Sequence, residues 1–233
     1  MKILALDSSA LVASVALCQD EKVLAEYTLN NGNTHSETLL PMVESILGFF
    51  GMTSADVDLF AVSAGPGSFT GVRIGAATLK GLAFASGKPC AEISTLEALA
   101  YNLRMHKGLI CPVMNARRSQ VYTALFRSDG KELQRLMPDS AMAISELDEI
   151  LAGYSEEVAL CGDGYDITVK GFEQTALCPV PERLRLQSAV SVASVALKNH
   201  KNGDVCSDRE LGVNYLRPSQ AERERAEKLE NQK

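Results

Sequence analysis

Residues 58–75 read Asp58-Leu59-Phe60-Ala61-Val62-Ser63-Ala64-Gly65-Pro66-Gly67-Ser68-Phe69-Thr70-Gly71-Val72-Arg73-Ile74-Gly75. The run 58–64 is mostly apolar and reads as a buried strand. Gly65 to Thr70 supply turn chemistry, and a helix is expected from about 70 to 86. A strand at 89–93 and a helix from 95 to about 104 complete an α/β order. The loop is not a P-loop, because no lysine and hydroxyl follow its last glycine, and its glycine spacing is not dinucleotide-like. Gly71 and Gly75 lie four apart on one helix face, with Thr78 next along it. Each glycine costs a helix about 1 kcal/mol relative to alanine. Two on one face imply that another backbone comes close, belonging either to the chain's own sheet or to a second chain.

Upstream, the runs 2–6, 11–18 and 22–29 are β-prone and separated by short polar connections, as in antiparallel hairpins. After the polar loop 30–33, Thr34 and Glu37 have the spacing of a capping box. Leu39, Leu40, Val43, Ile46, Leu47 and Phe50 then recur with helical period. Pro41 inside this pattern predicts a kink or a late start. Downstream, two strands are expected within 109–126 around Asn115-Ala116-Arg117-Arg118. A helix near 144–151, a strand at 157–161, the turn Gly162-Asp163-Gly164 and a helix near 188–200 follow. The expected division is a first lobe at 1–102, a second at 103–220 and a polar tail at 221–233. That tail has almost no apolar surface to bury, so its removal is expected to leave folding unchanged.

With 46% hydrophobic and 22% charged residues, the chain can build a core and is not disordered by composition. Its net charge of −6 argues against binding nucleic acid by bulk electrostatics. Asp7 comes too early for a secretory signal, and no window approaches 18 uninterrupted apolar residues, so a cytoplasmic protein is expected. Six cysteines without a C-x-x-C spacing read as reduced, buried or half-buried thiols. Three scattered histidines (His35, His106, His200) offer no metal site by local spacing.

Asp7, Ser8 and Ser9 follow the first strand. An acid and two hydroxyls in such a turn either cradle a phosphate or satisfy the turn by local hydrogen bonds. No Gly-x-Ser-x-Gly elbow exists. His35, just before an amphipathic helix, suits capping or surface work better than general-base catalysis.

The run Gly65–Gly75 resembles the hallmark of the TsaB family, also called YeaZ. The opening hairpin at 4–17, His35-Ser36-Glu37 with Leu39-Leu40-Pro41, and Ser94-Thr95-Leu96-Glu97-Ala98-Leu99-Ala100 also match. So do Ala116-Arg117-Arg118 with Val121-Tyr122, and Tyr215-Leu216-Arg217-Pro218. The resemblance covers nearly the whole chain and is weakest from 133 to 206. Asn115 departs from it, since the family pattern has an aspartate there. The resemblance implies an α/β, actin-like (ASKHA) two-lobe fold, with a mixed β-sheet and packed helices in each lobe.

It also implies a relationship to TsaD enzymes, which transfer a threonylcarbamoyl group to a tRNA adenosine with a bound metal. Where the TsaD-like pattern has two histidines four apart on a helix, this chain has Thr95 and Leu99, and leucine offers no lone pair. Where two acids follow the phosphate turn, it has Leu11 and Val12. Asn115-Ala116-Arg117-Arg118 replaces the second-lobe glycine hairpin. These departures imply a pseudoenzyme with a degenerate phosphate loop (Asp7, Ser8, Ser9), no cofactor and no metal. The implied partners are a TsaD-type catalytic subunit and a TsaE-type ATPase, with a homodimer when alone, tRNA only within the complex, and no membrane. The helices beginning near His35 and Thr70 would form the interface. Its candidate residues are His35, Leu39, Leu40, Val43, Ile46, Leu47, Gly71, Arg73, Ile74, Gly75 and Thr78, and periodicity leaves open which face the core. On this reading Gly75→Arg keeps the fold and loses the partner. The alternatives are a stand-alone actin-like ATPase or kinase using Asp7, Ser8 and Ser9, and a metallopeptidase-like enzyme.

Overall fold

The computed structural model describes residues 1–32 and 34–217; the polar tail 221–233 lies outside the described residues. The first sheet has the order β3-β2-β1-β4-β5. Its strands are β1 (Lys2–Asp7), β2 (Ala13–Gln19), β3 (Lys22–Leu29), β4 (Leu59–Gly65) and β5 (Cys90–Ser94). The meander β1-β2-β3 is antiparallel, whereas β4 pairs parallel with both β1 and β5. Ile3, Leu4, Ala5 and Leu6 are all fully buried, because β1 is central and helices cover both faces of its sheet. One face, bearing Leu4, Leu6, Phe60 and Val62, packs against α1 (His35–Phe49) and α2 (Phe69–Ser86). The opposite face, bearing Ile3, Ala5, Leu59 and Ala61, is covered mainly by α6 (Ala189–Lys201).

The second sheet repeats this plan. It comprises β6 (Gly108–Asn115), β7 (Gln120–Ser128), β8 (Leu133–Ala143), β9 (Val158–Cys161) and β10 (Leu177–Cys178), in the order β8-β7-β6-β9-β10. Again an antiparallel meander is extended by two parallel strands. Helices α4 (Ile144–Ala152) and α5 (Tyr165–Gly171) cover one face. Helix α3 (Thr95–Tyr101), which follows β5, crosses to the other face through Leu96, Leu99 and Ala100. The two lobes thus exchange their closing helices: α3 packs on the second sheet and α6 on the first. This is the actin-like two-lobe α/β architecture.

That exchange corrects the expected division at residue 102. The chain returns to the first lobe with α6 and stays on it as far as Asn214. Cys206 exchanges two backbone hydrogen bonds of 2.8 Å with Cys90, Leu211 is buried in the first core, and the Asn214 N–H donates to Ala64 O at 2.7 Å. A continuous second lobe to residue 220 therefore gives way to an inserted one. Apolar period reports that α6 has a buried face but not which sheet covers it.

Two local expectations also change. Thr34 is the N-cap of α1, but its side chain makes no capping hydrogen bond, so the capping box does not form. The helix starts at His35 and runs through Pro41, so there is no late start. Helix α2 is capped by Ser68, whose hydroxyl accepts the Gly71 N–H at 3.3 Å, and ends at Gly87 in the left-handed region. All six cysteines are free thiols, four of them buried.

A buried carboxylate anchors the second lobe. Asp148 on α4 accepts backbone N–H groups from Glu173, Gln174 and Thr175 at 2.8, 3.1 and 3.0 Å, and the Thr175 hydroxyl at 2.7 Å. Burial pushes its pKa up, but these donors outweigh burial and leave it below the ordinary carboxylate value. Asp148→Ala is expected to cost about 2–3 kcal/mol at neutral pH, because it strands three backbone donors. Because the pKa is depressed in the fold, this contribution is present above the unfolded value. Denaturant melts at several pH values should therefore show the gap to the parent closing as pH drops below about 4.

Candidate functional site

The turn between β1 and β2 carries the Asp7-Ser8-Ser9 triplet, and its polar groups are already engaged. The Asp7 carboxylate, 1% exposed, accepts the Ser9 N–H at 2.9 Å and the Ser9 hydroxyl at 2.6 Å on one oxygen. Its other oxygen accepts the Ser63 hydroxyl at 2.5 Å. Burial raises its pKa against these donors. The Ser8 hydroxyl donates to Gly71 O at 2.9 Å, and Ser9 O accepts the Ser68 N–H at 2.7 Å. Local satisfaction is therefore the reading the structure supports, and no free hydroxyl points from this turn toward a phosphate.

The glycine face of α2 belongs to the same turn. A Cβ on Gly67 or Gly75 would lie 2.5 Å from Ser9 O or the Ser8 hydroxyl, and one on Gly71 would overlap Ser8 O. The neighbouring atoms, Ser8 backbone at Gly71 and the Ser8 and Val62 side chains at Gly75, are the chain's own, which removes Gly71 and Gly75 from the expected partner interface. Leu39, Val43, Ile46 and Leu47 leave it too, since all four are buried against the first sheet. His35 turns inward as well, its Nε2 2.6 Å from Ala10 O, joining the start of α1 to the β1–β2 turn. Leu40 and Arg73 face solvent, and Ile74 and Thr78 are half-buried.

The outward faces of α1 and α2 carry residues that period analysis passed over. Phe49 is 80% and Phe84 71% exposed. Ala77, Gly81 and Ala85 are also exposed on α2, as are Pro41 and Gly48 on α1. The signal was present in the sequence: with Gly71, Gly75 and Leu79 on the inner face, Ala77 and Phe84 fall on the outer one.

The two lobes enclose a cleft of about 620 Å³, lined on one side by Ser9, Gly67 and Phe69 and on the other by Arg117, Tyr122 and Asp163. The fold's internal repeat explains its symmetry. The Gly162-Asp163-Gly164 turn after β9 packs on β6, with the Gly164 N–H donating to Val113 O at 3.0 Å, much as the Gly65-Pro66-Gly67 turn after β4 packs near β1. In the β6–β7 turn, Arg117, Arg118 and Ser119 have φ of 63°, 54° and 55°, a conformation costing L-residues about 1–2 kcal/mol each. Asn115 holds it, its side-chain oxygen accepting the Arg117 N–H at 2.8 Å. Burial pushes the Asp163 carboxyl up to about 6, the Asn115 N–H works against this and Asp7 adds to it. The terminal strap closes one edge. Arg73 stacks 3.8 Å from the Phe69 ring centroid and its Nε donates to the Tyr215 hydroxyl at 2.6 Å, while Arg217 donates to Gln120 of β7.

Thr95 and Leu99, at 0% and 1% exposure, lie in the packing of α3, and Leu99 has no lone pair to offer a metal. Among the described residues no group of three or more His, Cys, Asp or Glu is placed to hold one, and no helix is long and apolar enough to cross a membrane.

The family model for TsaD, tRNA N6-adenosine threonylcarbamoyltransferase, matches residues 22–206. The tRNA threonylcarbamoyladenosine biosynthesis protein TsaB of Bacillus subtilis (strain 168) is 38% identical over 162 residues, which is 70% of this chain and 71% of that protein. Its namesake from Escherichia coli (strain K12) is 37% identical over 131 residues, 55% of this chain and 56% of that one. The solved structure of YeaZ from Pseudomonas aeruginosa superimposes with a TM-score of 0.80 at 26% identity, covering 92% of this chain and 99% of that chain.

Two measurements test the site. Gly71→Ala is expected to destabilise by about 1–3 kcal/mol through overpacking. Gly81→Ala, where an added Cβ meets nothing within 4 Å, should stabilise the helix by up to about 1 kcal/mol; equal effects in denaturant melts would reject the packing described. For Asp163, the native state holds a proton that the unfolded chain releases between about pH 4 and 6, so stability falls as pH rises through that window. Asp163→Asn should therefore be about 1–2 kcal/mol more stable than the parent at pH 7.5 and equal to it near pH 4.

Proposed function

This chain belongs to the TsaB (YeaZ) family, and we propose that it is a non-catalytic subunit of a tRNA threonylcarbamoyladenosine-forming complex, binding and activating a TsaD-type catalytic partner. The observation that carries this reading is the outer face of α1 and α2. Two adjacent helices rest their inner faces on the first sheet and offer to solvent Leu40, Pro41 and Phe49 beside Ala77, Gly81 and Phe84. Small residues let a partner helix approach closely, and the two phenylalanines supply apolar anchors of the kind that dominate interface energy. A helix pair of similar architecture on a TsaD-type partner would complete a small bundle. The same face serves self-association when the chain is alone. The assembled surface also contributes to recruiting a TsaE-type ATPase.

The interior supports a binding rather than a catalytic role. Asp7, Ser8 and Ser9 spend their hydrogen bonds on Ser63, Gly71 and one another, and Leu99 lacks metal-ligand chemistry. Activation then means holding the partner's own groups in place, through differential binding to its active arrangement.

Phe84→Asp, and separately Ala77→Arg, should leave the far-UV spectrum and melting temperature of the isolated chain unchanged, since both sites are exposed. Each should weaken association with the TsaD-type partner at least thirtyfold, or about 2 kcal/mol, as for an interface hot spot. Modification of tRNA in the reconstituted mixture should fall in parallel. Co-elution with the partner at parental affinity in both variants would rule this face out.

A further inference from the structure

We propose that the mouth of the interlobe cleft is an RNA contact, in which arginines grip the phosphates of one strand and aromatic rings receive an unpaired base. The inference rests on the reading above, that the chain works within a tRNA-modifying complex, and adds a surface that the helix-face argument does not involve.

Arg117 and Arg217 line the cleft together with Phe69, Tyr122 and Tyr215, and Arg73 lies against two of those rings. In a chain of net charge −6, this grouping is a local reversal of sign. Every cation in it is arginine, whose planar guanidinium matches phosphate oxygens two at a time. The Arg217 guanidinium lies 6.0 Å from the Tyr122 ring centroid, and the Phe69 and Tyr215 centroids are 4.7 Å apart. Aromatic faces beside arginines form the platform on which single-stranded nucleic acids stack. Among the described residues, Asp163 is the one acid lining the cleft.

The depth of the cleft argues for a strand crossing its mouth rather than a free nucleotide lodged inside. A nucleotide tail would need donors from the β1–β2 turn, but Ser8 and Ser9 are committed to Gly71 and Asp7, and Gly67 already touches Ser9. The exposed cation is instead on the rim, where the left-handed turn at Arg117 projects it. An acidic peptide would satisfy the arginines but make no use of the Tyr122 and Tyr215 rings that line the cleft. The negative net charge means that this contact adds to docking provided by the catalytic subunit and does not bind RNA unaided.

The test uses the chain assembled with its TsaD-type partner and an unmodified tRNA, with affinity measured across a salt series. Arg117→Glu and Arg217→Glu should each weaken tRNA binding by about fivefold to tenfold and lower the salt slope by about one. Tyr122→Ala should weaken binding with the slope unchanged. Co-elution with the partner should be parental in all three, which separates this proposal from the helix-face reading. Because Arg217 also bonds Gln120, a second measurement avoids variants: a photoreactive tRNA on the unaltered complex should cross-link to the peptides containing Tyr122 or Tyr215. Parental affinity and slope in Arg117→Glu, or an absence of cross-links to those peptides, would overturn the proposal. So would ATP binding lost in these variants while tRNA affinity holds.

Discussion

The fold depends on a backbone contact between α2 and the turn that follows β1. No side chain fits between them: Gly67, Gly71 and Gly75 bring helix backbone against Ser8 and Ser9, and the Ser8 hydroxyl closes on Gly71 O. This contact sets the position of α2 over the first sheet and aligns α1 beside it. The carboxylate and hydroxyls of this turn are thus spent on the fold.

Helix faces follow from that constraint. Once the glycine face of α2 is spent inward, its opposite face is free, and Ala77, Gly81 and Phe84 are what it presents. On α1 the apolar stripe Leu39, Val43, Ile46 and Leu47 fills the core, leaving Leu40 and Phe49 outward. A helix with apolar residues on both faces in a protein of ordinary composition is a helix with two neighbours. One is the sheet; the other is the partner proposed above.

The internal repeat shapes the remainder. Two copies of one strand order, joined by exchanged helices, place two similar turns opposite each other and so generate the cleft. The copies have diverged in chemistry. The first turn is compact and internally satisfied, whereas the second is a strained run through Arg117 and Arg118 held by Asn115. An aspartate at 115 would accept the same hydrogen bond, so either residue would hold the turn's geometry.

The sequence by itself determined the alternation of elements, the strand–glycine turn–helix unit at 58–86 and the family, because these rest on local period and on residues near one another in the chain. It missed β8, which is a half-exposed edge strand containing Pro138 and so lacks alternation, and the short α5 and β10. It also joined residues 189–217 to the second lobe, because an apolar period says that a face is buried without saying against what. The same ambiguity assigned Leu39, Val43, Gly71 and Gly75 to a partner. Only the tertiary structure decided those neighbours, since the Ser8 hydroxyl that a Cβ on Gly75 would meet at 2.5 Å comes from a turn 67 residues away in the chain.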